Sequence, residues 1–228
     1  MRRAALALGA LLALGALAAA EDPESRDAAR PSWHKGSAWT VRIHPIGTFV
    51  GADSKRVEVT PVVSKTVNVR FLVEGLETED KVSCYRIHVA REDRADDDMI
   101  LVVREQDLSL KRLIHRHKPS RTETAVANER TPYLSLELGS FGPLDWPLFP
   151  RTPVAGSETK TFELAGERSV KQTTSVEADG TTTYVLETTL GKKKIVSTMK
   201  WAKDADFWSS AGRTVDGTEA ETGELAGP

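Results

Sequence analysis

Along most of the chain, apolar residues alternate with polar ones at a period of two. Trp39, Val41 and Ile43 alternate with Thr40, Arg42 and His44, and Val67, Val69, Phe71 and Val73 alternate with Asn68, Arg70 and Leu72. Tyr85, Ile87 and Val89 repeat the pattern, as do Leu134, Leu136 and Leu138. Successive side chains of a strand point to opposite faces, so each run predicts a strand with one buried and one wet face. Met99 to Val103 is apolar throughout, which predicts a strand covered on both faces. Leu108, Leu110 and Arg112 open a further strand that runs through Ile114. Asp179-Gly180 joins Ser169–Glu177 to Thr181–Thr189 and predicts a tight type I′ hairpin, and Gly191-Lys192-Lys193 turns the chain into Lys194–Trp201, completing a three-stranded meander. Only Lys203–Ala211 admits a short helical turn. The predicted fold is all-β, an antiparallel curved sheet or incomplete barrel of roughly nine to eleven strands with few or no helices.

The two ends read differently. Arg2 and Arg3 precede an unbroken Ala/Leu/Gly run from Ala4 to Ala20, with small Ala18 and Ala20 just before Glu21. This is the layout of a secretory signal peptide over residues 1–20, cleaved near Ala20, and the run is too short and too alanine-rich for a spanning helix. Residues 21–32 are polar and predict a flexible lead-in, 33–211 a single β domain, and 212–228, rich in Gly, Thr, Glu and Asp, a disordered acidic tail. The mature chain is expected in the periplasm or outside the cell. No stable membrane anchor is expected, since the sole cysteine, Cys84, is not placed at the cleavage point to carry a lipid.

Charge removes one class of partner. The net charge is -2, and loss of residues 1–20 takes away two Arg and no acid, leaving -4. A nucleic-acid binder needs a basic surplus, so that role is excluded. One Cys also excludes an intrachain disulfide and any zinc site built from several thiolates.

Candidate chemistry is sparse. His115 and His117 fall on one side of a strand, a spacing that holds zinc or copper if His88 or His44 comes near, but Arg112, Arg116, Lys118 and Arg121 oppose a cation there. Asp96, Asp97 and Asp98, with Glu92 and Asp93, lack the spacing and central glycine of a calcium loop and read as a solvated turn. The chain has no nucleophile elbow, zinc-protease helix, phosphate loop or dinucleotide fingerprint; Gly139-Ser140-Phe141-Gly142 is one residue short of an elbow. Cys84 lies in a strand pattern and reads as a small buried hydrophobe. No catalytic residue, metal or cofactor is assigned, and a non-enzymatic role is the expectation.

The aromatic and proline residues stand out instead. Phe141 to Pro150 packs two Phe, one Trp, two Leu and three Pro into a segment that cannot continue a central strand, since proline lacks the ladder donor. It is either a lid over the open end of the sheet or the mouth of an apolar cavity and a partner surface. Trp33, Trp39, Trp201, Phe207 and Trp208 lie near the two ends of the domain, as if the first and last strands were neighbours. The cleaved signal, the opening strand from Trp33 to Arg42, the successive antiparallel strands and the Arg104 to Arg112 segment between two of them resemble the periplasmic lipoprotein-carrier (LolA/LolB-like) half-barrel superfamily. That resemblance implies a sheet curved around an apolar cavity that carries acyl chains or lipoproteins, with Phe141–Pro150 in place of lid helices. The reading that follows is an exported, non-catalytic binder of an apolar or lipid-like ligand, or a partner of an envelope protein, with Trp39, Val41, Val69, Phe71, Tyr85, Phe141, Trp146 and Phe149 as ligand contacts. The alternative is a β-sandwich carbohydrate-binding or adhesion module that stacks sugars on exposed Trp, although amide side chains for sugar hydrogen bonds are few.

Overall fold

The computed structural model describes residues 25–26, 28–45, 47–49, 59–61, 65–117, 122–127, 130–134, 145–164 and 168–226. The expected signal peptide, Phe141 and most of the Leu134 to Leu138 alternation lie outside these residues. Within them no helix forms. The strands are β1 (Ser25–Arg26), β2 (Ala38–Pro45), β3 (Gly47–Phe49), β4 (Val59–Pro61), β5 (Val67–Glu79), β6 (Val82–Arg91), β7 (Asp97–Arg104) and β8 (Leu110–His117). They continue with β9 (Thr122–Ala127), β10 (Val154–Ala155), β11 (Ser157–Leu164), β12 (Arg168–Val176), β13 (Thr182–Leu190), β14 (Lys193–Trp201), β15 (Ser210–Val215) and β16 (Thr218–Ala226).

Twelve of these make one antiparallel sheet, in the order β11-β12-β13-β14-β15-β16-β2-β5-β6-β7-β8-β9. From β2 the chain meanders outward through β5 to β9, crosses to the opposite edge at β11, and meanders back until β16 pairs with β2. The sheet therefore has two wings, β5–β9 and β11–β16, on either side of β2. It remains an incomplete barrel, with β9 and β11 as its edges. Short pairs β1-β10 and β3-β4 complete the strand inventory of the described residues.

The alternating runs at Trp39–Ile43, Val67–Val73 and Tyr85–Val89 produce the strands expected of them, while the strand expected from Leu108 starts at Leu110, Leu108 lying in the turn before it at φ 55°. β7 is buried at every position from Asp97 to Val103. Its Met99, Leu101 and Val103 join the main core, while Ile100 and Val102 pack with Cys84 and Ile114 on the other face. β5 is long, and a bulge between Val73 and Gly75 bends it, Gly75 taking a φ of 152°.

The ends depart from expectation. The stretch from Gly212 onward is not a tail: β15 and β16 are full members of the sheet, with Gly223 opposite Ile43 and Thr222 opposite His44. Their low apolar content hides this, because the buried row of β15 is Ala211, Arg213 and Val215, with Glu221 opposite Arg213. The polar lead-in is likewise anchored. β1 pairs with β10, and Ala29 is buried, its N–H donating to Thr182 Oγ1 (2.6 Å) and its carbonyl accepting from Tyr184 Oη (3.0 Å). Lys203–Ala211 makes turns and then β15 instead of a helix, and it delivers Phe207 and Trp208 to the core.

Two Asp-Gly pairs exchange roles. At Asp179-Gly180 only Gly180 has positive φ (84°), and Gly180 N–H reaches Glu177 O while Glu177 N–H reaches Thr181 O. This is a three-residue loop with a left-handed glycine, not the expected type I′ turn. The type I′ geometry sits at Asp216-Gly217, with φ of 50° and 79° between paired Val215 and Thr218.

Candidate functional site

The concave face of the sheet is where a curved-sheet carrier would hold cargo, and it is filled. Trp39 stacks between Trp33 (5.9 Å) and Phe71 (6.0 Å), Phe207 closes on Trp39 and Phe71 (4.6 Å each), and Trp201 packs on Phe207 (5.6 Å). The sequence ends thus share one aromatic cluster, because β2 and β16 are neighbours and β14 lies close by. Seven of the eight residues expected to contact ligand, Trp39, Val41, Val69, Phe71, Tyr85, Trp146 and Phe149, are buried in this single core. The eighth, Phe141, is outside the described residues.

Asp145 to Arg151 runs across the concave face of the β11–β16 wing and supplies part of that filling. Trp146 and Tyr133 exchange two backbone hydrogen bonds of 2.9 Å, and Trp146 Nε1 donates to Leu108 O (2.7 Å). Leu108 exposes that carbonyl because it sits at φ 55° in the turn before β8. Pro147 and Pro150 keep the segment out of the sheet ladder. Phe149 then inserts between Tyr184 (5.4 Å) and Trp201 (5.1 Å).

Three polar anchors hold the segment, each using a side chain from a strand or turn. Gln172 of β12 exchanges two hydrogen bonds with the backbone of Leu148, 2.8 Å and 2.7 Å. Arg151 donates to Asp107 (2.8 Å), which also accepts from the Ser109 hydroxyl (2.5 Å) and N–H (3.1 Å). Burial raises the Asp107 carboxyl, but these bonds and the nearby Arg130 hold it below its ordinary value.

The third anchor is a buried ionic triad. Arg213 of β15 is wholly buried and presents Nη2 to Asp145 Oδ1 (2.8 Å) and Nε to Asp145 Oδ2 (3.3 Å). Its Nη1 donates to Glu221 Oε1, and Ser197 Oγ lies 3.2 Å from Nε. Burial alone disfavours the guanidinium charge; the Asp145 and Glu221 carboxylates outweigh it and hold Arg213 above its usual value. Burial also pushes the Glu221 carboxyl up, against the pull of Arg213 and with the help of Asp145. A guanidinium suits such a site because its planar donors fork onto a carboxylate. Two indole donors nearby, Trp39 Nε1 and Trp201 Nε1, are buried without a hydrogen-bond partner.

At the outer end of this segment the wing is open. A cavity of about 270 Å3 lies between Leu148–Thr152 and the inward row of the edge strand, Glu158, Lys160 and Phe162, with Gln172 and Thr174 at its back. Its walls combine Leu148, Phe149, Pro150 and Phe162 with a charged rim of Arg151, Glu158 and Lys160. Of the expected contact residues, Phe149 lines it. Gln172, Arg213 and Glu221 escape pattern reading because they occupy positions where alternation leads one to expect apolar side chains.

The other candidates are absorbed by structure. Asp97 and Asp98 belong to β7 and not to a turn: Asp98 takes a two-pronged contact from Arg116 (2.7 and 2.9 Å) and one from His88 (3.0 Å), and Asp97 lies 2.5 Å from His115. Cys84 is buried with its thiol pushed up by that burial. Among the described residues, no group of three or more His, Cys, Asp or Glu is placed to hold a metal. No family model, curated protein or solved structure matches the chain.

Proposed function

We propose that this is an exported, non-catalytic binding or carrier protein for an apolar or lipid-like ligand of the cell envelope, as the half-barrel resemblance implies. The observation that carries the reading is the part-apolar cavity at the β11 edge, lined by Phe149, whose ring also packs on Trp201 of the aromatic core. Its size is close to the smallest small-molecule sites, roughly 300 Å3 and upward. Larger cargo would enter by displacing the Asp145–Arg151 segment. That segment is built for displacement in one respect: it adds no strand to the sheet and is held by side chains and one isolated bridge. The apolar reading is preferred to the carbohydrate alternative because all five Trp are buried, which leaves no exposed indole to stack on a sugar.

Native mass spectrometry of the full chain recovered from a Gram-negative periplasm tests the reading. The expected result is a lipid adduct, lost in Phe162→Asp, which places a charge on the cavity wall at the sheet edge. A clean spectrum with no uptake of fatty-acid or fatty-alcohol probes would overturn it, as would an adduct indifferent to Phe162→Asp.

A further inference from the structure

The segment lying on the concave face has the chemistry of a ligand. Asp145 supplies a carboxylate, and Trp146, Leu148 and Phe149 supply an apolar body that ends between Tyr184 and Trp201. Its receptor is split in the same way, with one buried cation at β15 and an aromatic wall across β13 and β14. Arg213 divides its donors into two edges. Nη1 is taken by Glu221 from the neighbouring strand β16, while Nε and Nη2 face Asp145. Glu221 alone balances the Arg213 charge, so withdrawing Asp145 leaves a neutral Arg-Glu pair whose Nε–Nη2 edge keeps the Ser197 hydroxyl on Nε as its hydrogen-bond partner. That arrangement is far less costly than an uncompensated buried cation.

We infer that the cargo is a long-chain monocarboxylate, whose carboxylate takes the Arg213 edge held by Asp145 and whose chain replaces Trp146 to Phe149 on the aromatic wall. This rests on the apolar-binding role proposed above and names its ligand class. Asp145 is then an internal competitor: while it is seated, the binding-competent population is small and the apparent affinity falls in proportion. Forked Arg-carboxylate contacts are directional and charge-assisted, so the site discriminates a carboxylate head from a hydroxyl of the same chain length.

The test titrates the full chain with dodecanoate and with dodecanol, read by tryptophan fluorescence. The unmodified protein is expected to prefer dodecanoate by about tenfold, the ratio that one charge-assisted contact supports. Asp145→Ala, checked for native near-ultraviolet circular dichroism, is expected to tighten dodecanoate by a further factor of about ten and dodecanol by less. Equal affinity for the two probes in the unmodified protein keeps apolar binding but overturns the carboxylate head, and so does an Asp145→Ala variant that folds and gains nothing for dodecanoate. Binding of neither probe to either protein removes the proposed function itself. If Asp145→Ala does not fold, the paired titrations of the unmodified chain decide the matter alone.

Discussion

The two wings of the sheet fill their concave faces by different means. Strands β5–β8 do so mostly with their own side chains: Val69, Phe71, Val73, Ile87, Val89, Met99, Leu101, Val103 and Leu113 are buried, and the segment from outside the sheet touches this wing at the β7–β8 turn, through Leu108 and Asp107. In the β11–β16 wing, the corresponding rows include Gln172, Thr174, Ser197, Arg213 and Glu221, all buried and polar. Two of them are satisfied by the same segment from outside the sheet, Gln172 through Leu148 and Arg213 through Asp145, while Thr174, Ser197 and Glu221 bond to Gln172 and Arg213 themselves. A wing that fills its buried rows with its own apolar side chains is a scaffold. A wing that needs a borrowed segment to satisfy its buried donors is one where another molecule with matching groups can substitute.

The sharpest way to break this comparison is to remove the cation. Arg213→Ala leaves Asp145 and Glu221 buried without their partner and is expected to cost about 3–5 kcal/mol. Urea unfolding reads the loss, and a cost below about 1 kcal/mol would mean that the triad does not organise the wing.

Acid titration sharpens the contrast because Asp107 and Glu221, one from each wing, titrate with opposite sign. Asp107, at the β7–β8 turn, has its folded value held below 3.8, so its stabilisation is present above that pH and lost as the pH falls. Glu221 has its folded value raised above 4.5, so its effect favours folding below that pH and is lost as the pH rises. Asp107→Asn is therefore expected to harm stability more at pH 7 than at pH 3.5. Glu221→Gln should become relatively more favourable as the pH rises from 3.5 to 7. Parallel pH dependences in urea midpoints for the two variants would contradict the assignment.

Smaller effects come from the turns. Gly217 stands at φ 79° with open space around a Cβ, so Gly217→Ala tests the backbone alone and is expected to cost about 1–2 kcal/mol. A cost near zero would return β15–β16 to the status of a loose tail. In the other wing the two-residue turn Asp80-Lys81 holds both residues at positive φ, 50° and 66°. Lys81→Gly relieves about 1–2 kcal/mol of strain but adds about 0.5–1 kcal/mol of chain entropy, leaving a net gain of about 0.5 kcal/mol. Thermal unfolding of the variant measures it.

The same division governs what could be read from the sequence. β2, β5, β6 and β7 announce themselves because burial on one face forces strict alternation, and on both faces a continuous run. The β15–β16 hairpin does not, since its few buried apolar side chains, Ala211, Val215 and Ala220, are interleaved with a buried Arg213 and Glu221, and the pairing of Arg213 depends on Asp145, some seventy residues away. Asp216-Gly217 carried the hairpin signal, but with no apolar run on either side it read as part of a tail. Phe141–Pro150 was legible as apolar chain that must be covered, while its anchors Gln172, Asp107 and Arg213 were not, because nothing local marks a polar residue as buried.

Hydrogen exchange of the unmodified chain with and without dodecanoate tests the replaceable segment most directly. The account predicts altered exchange at the Trp146 and Leu148 amides, with reduced protection where the segment leaves its anchors, and unchanged protection across β5–β8. Unchanged exchange at Trp146 and Leu148 with saturating dodecanoate bound, or changes concentrated in β5–β8, would contradict it.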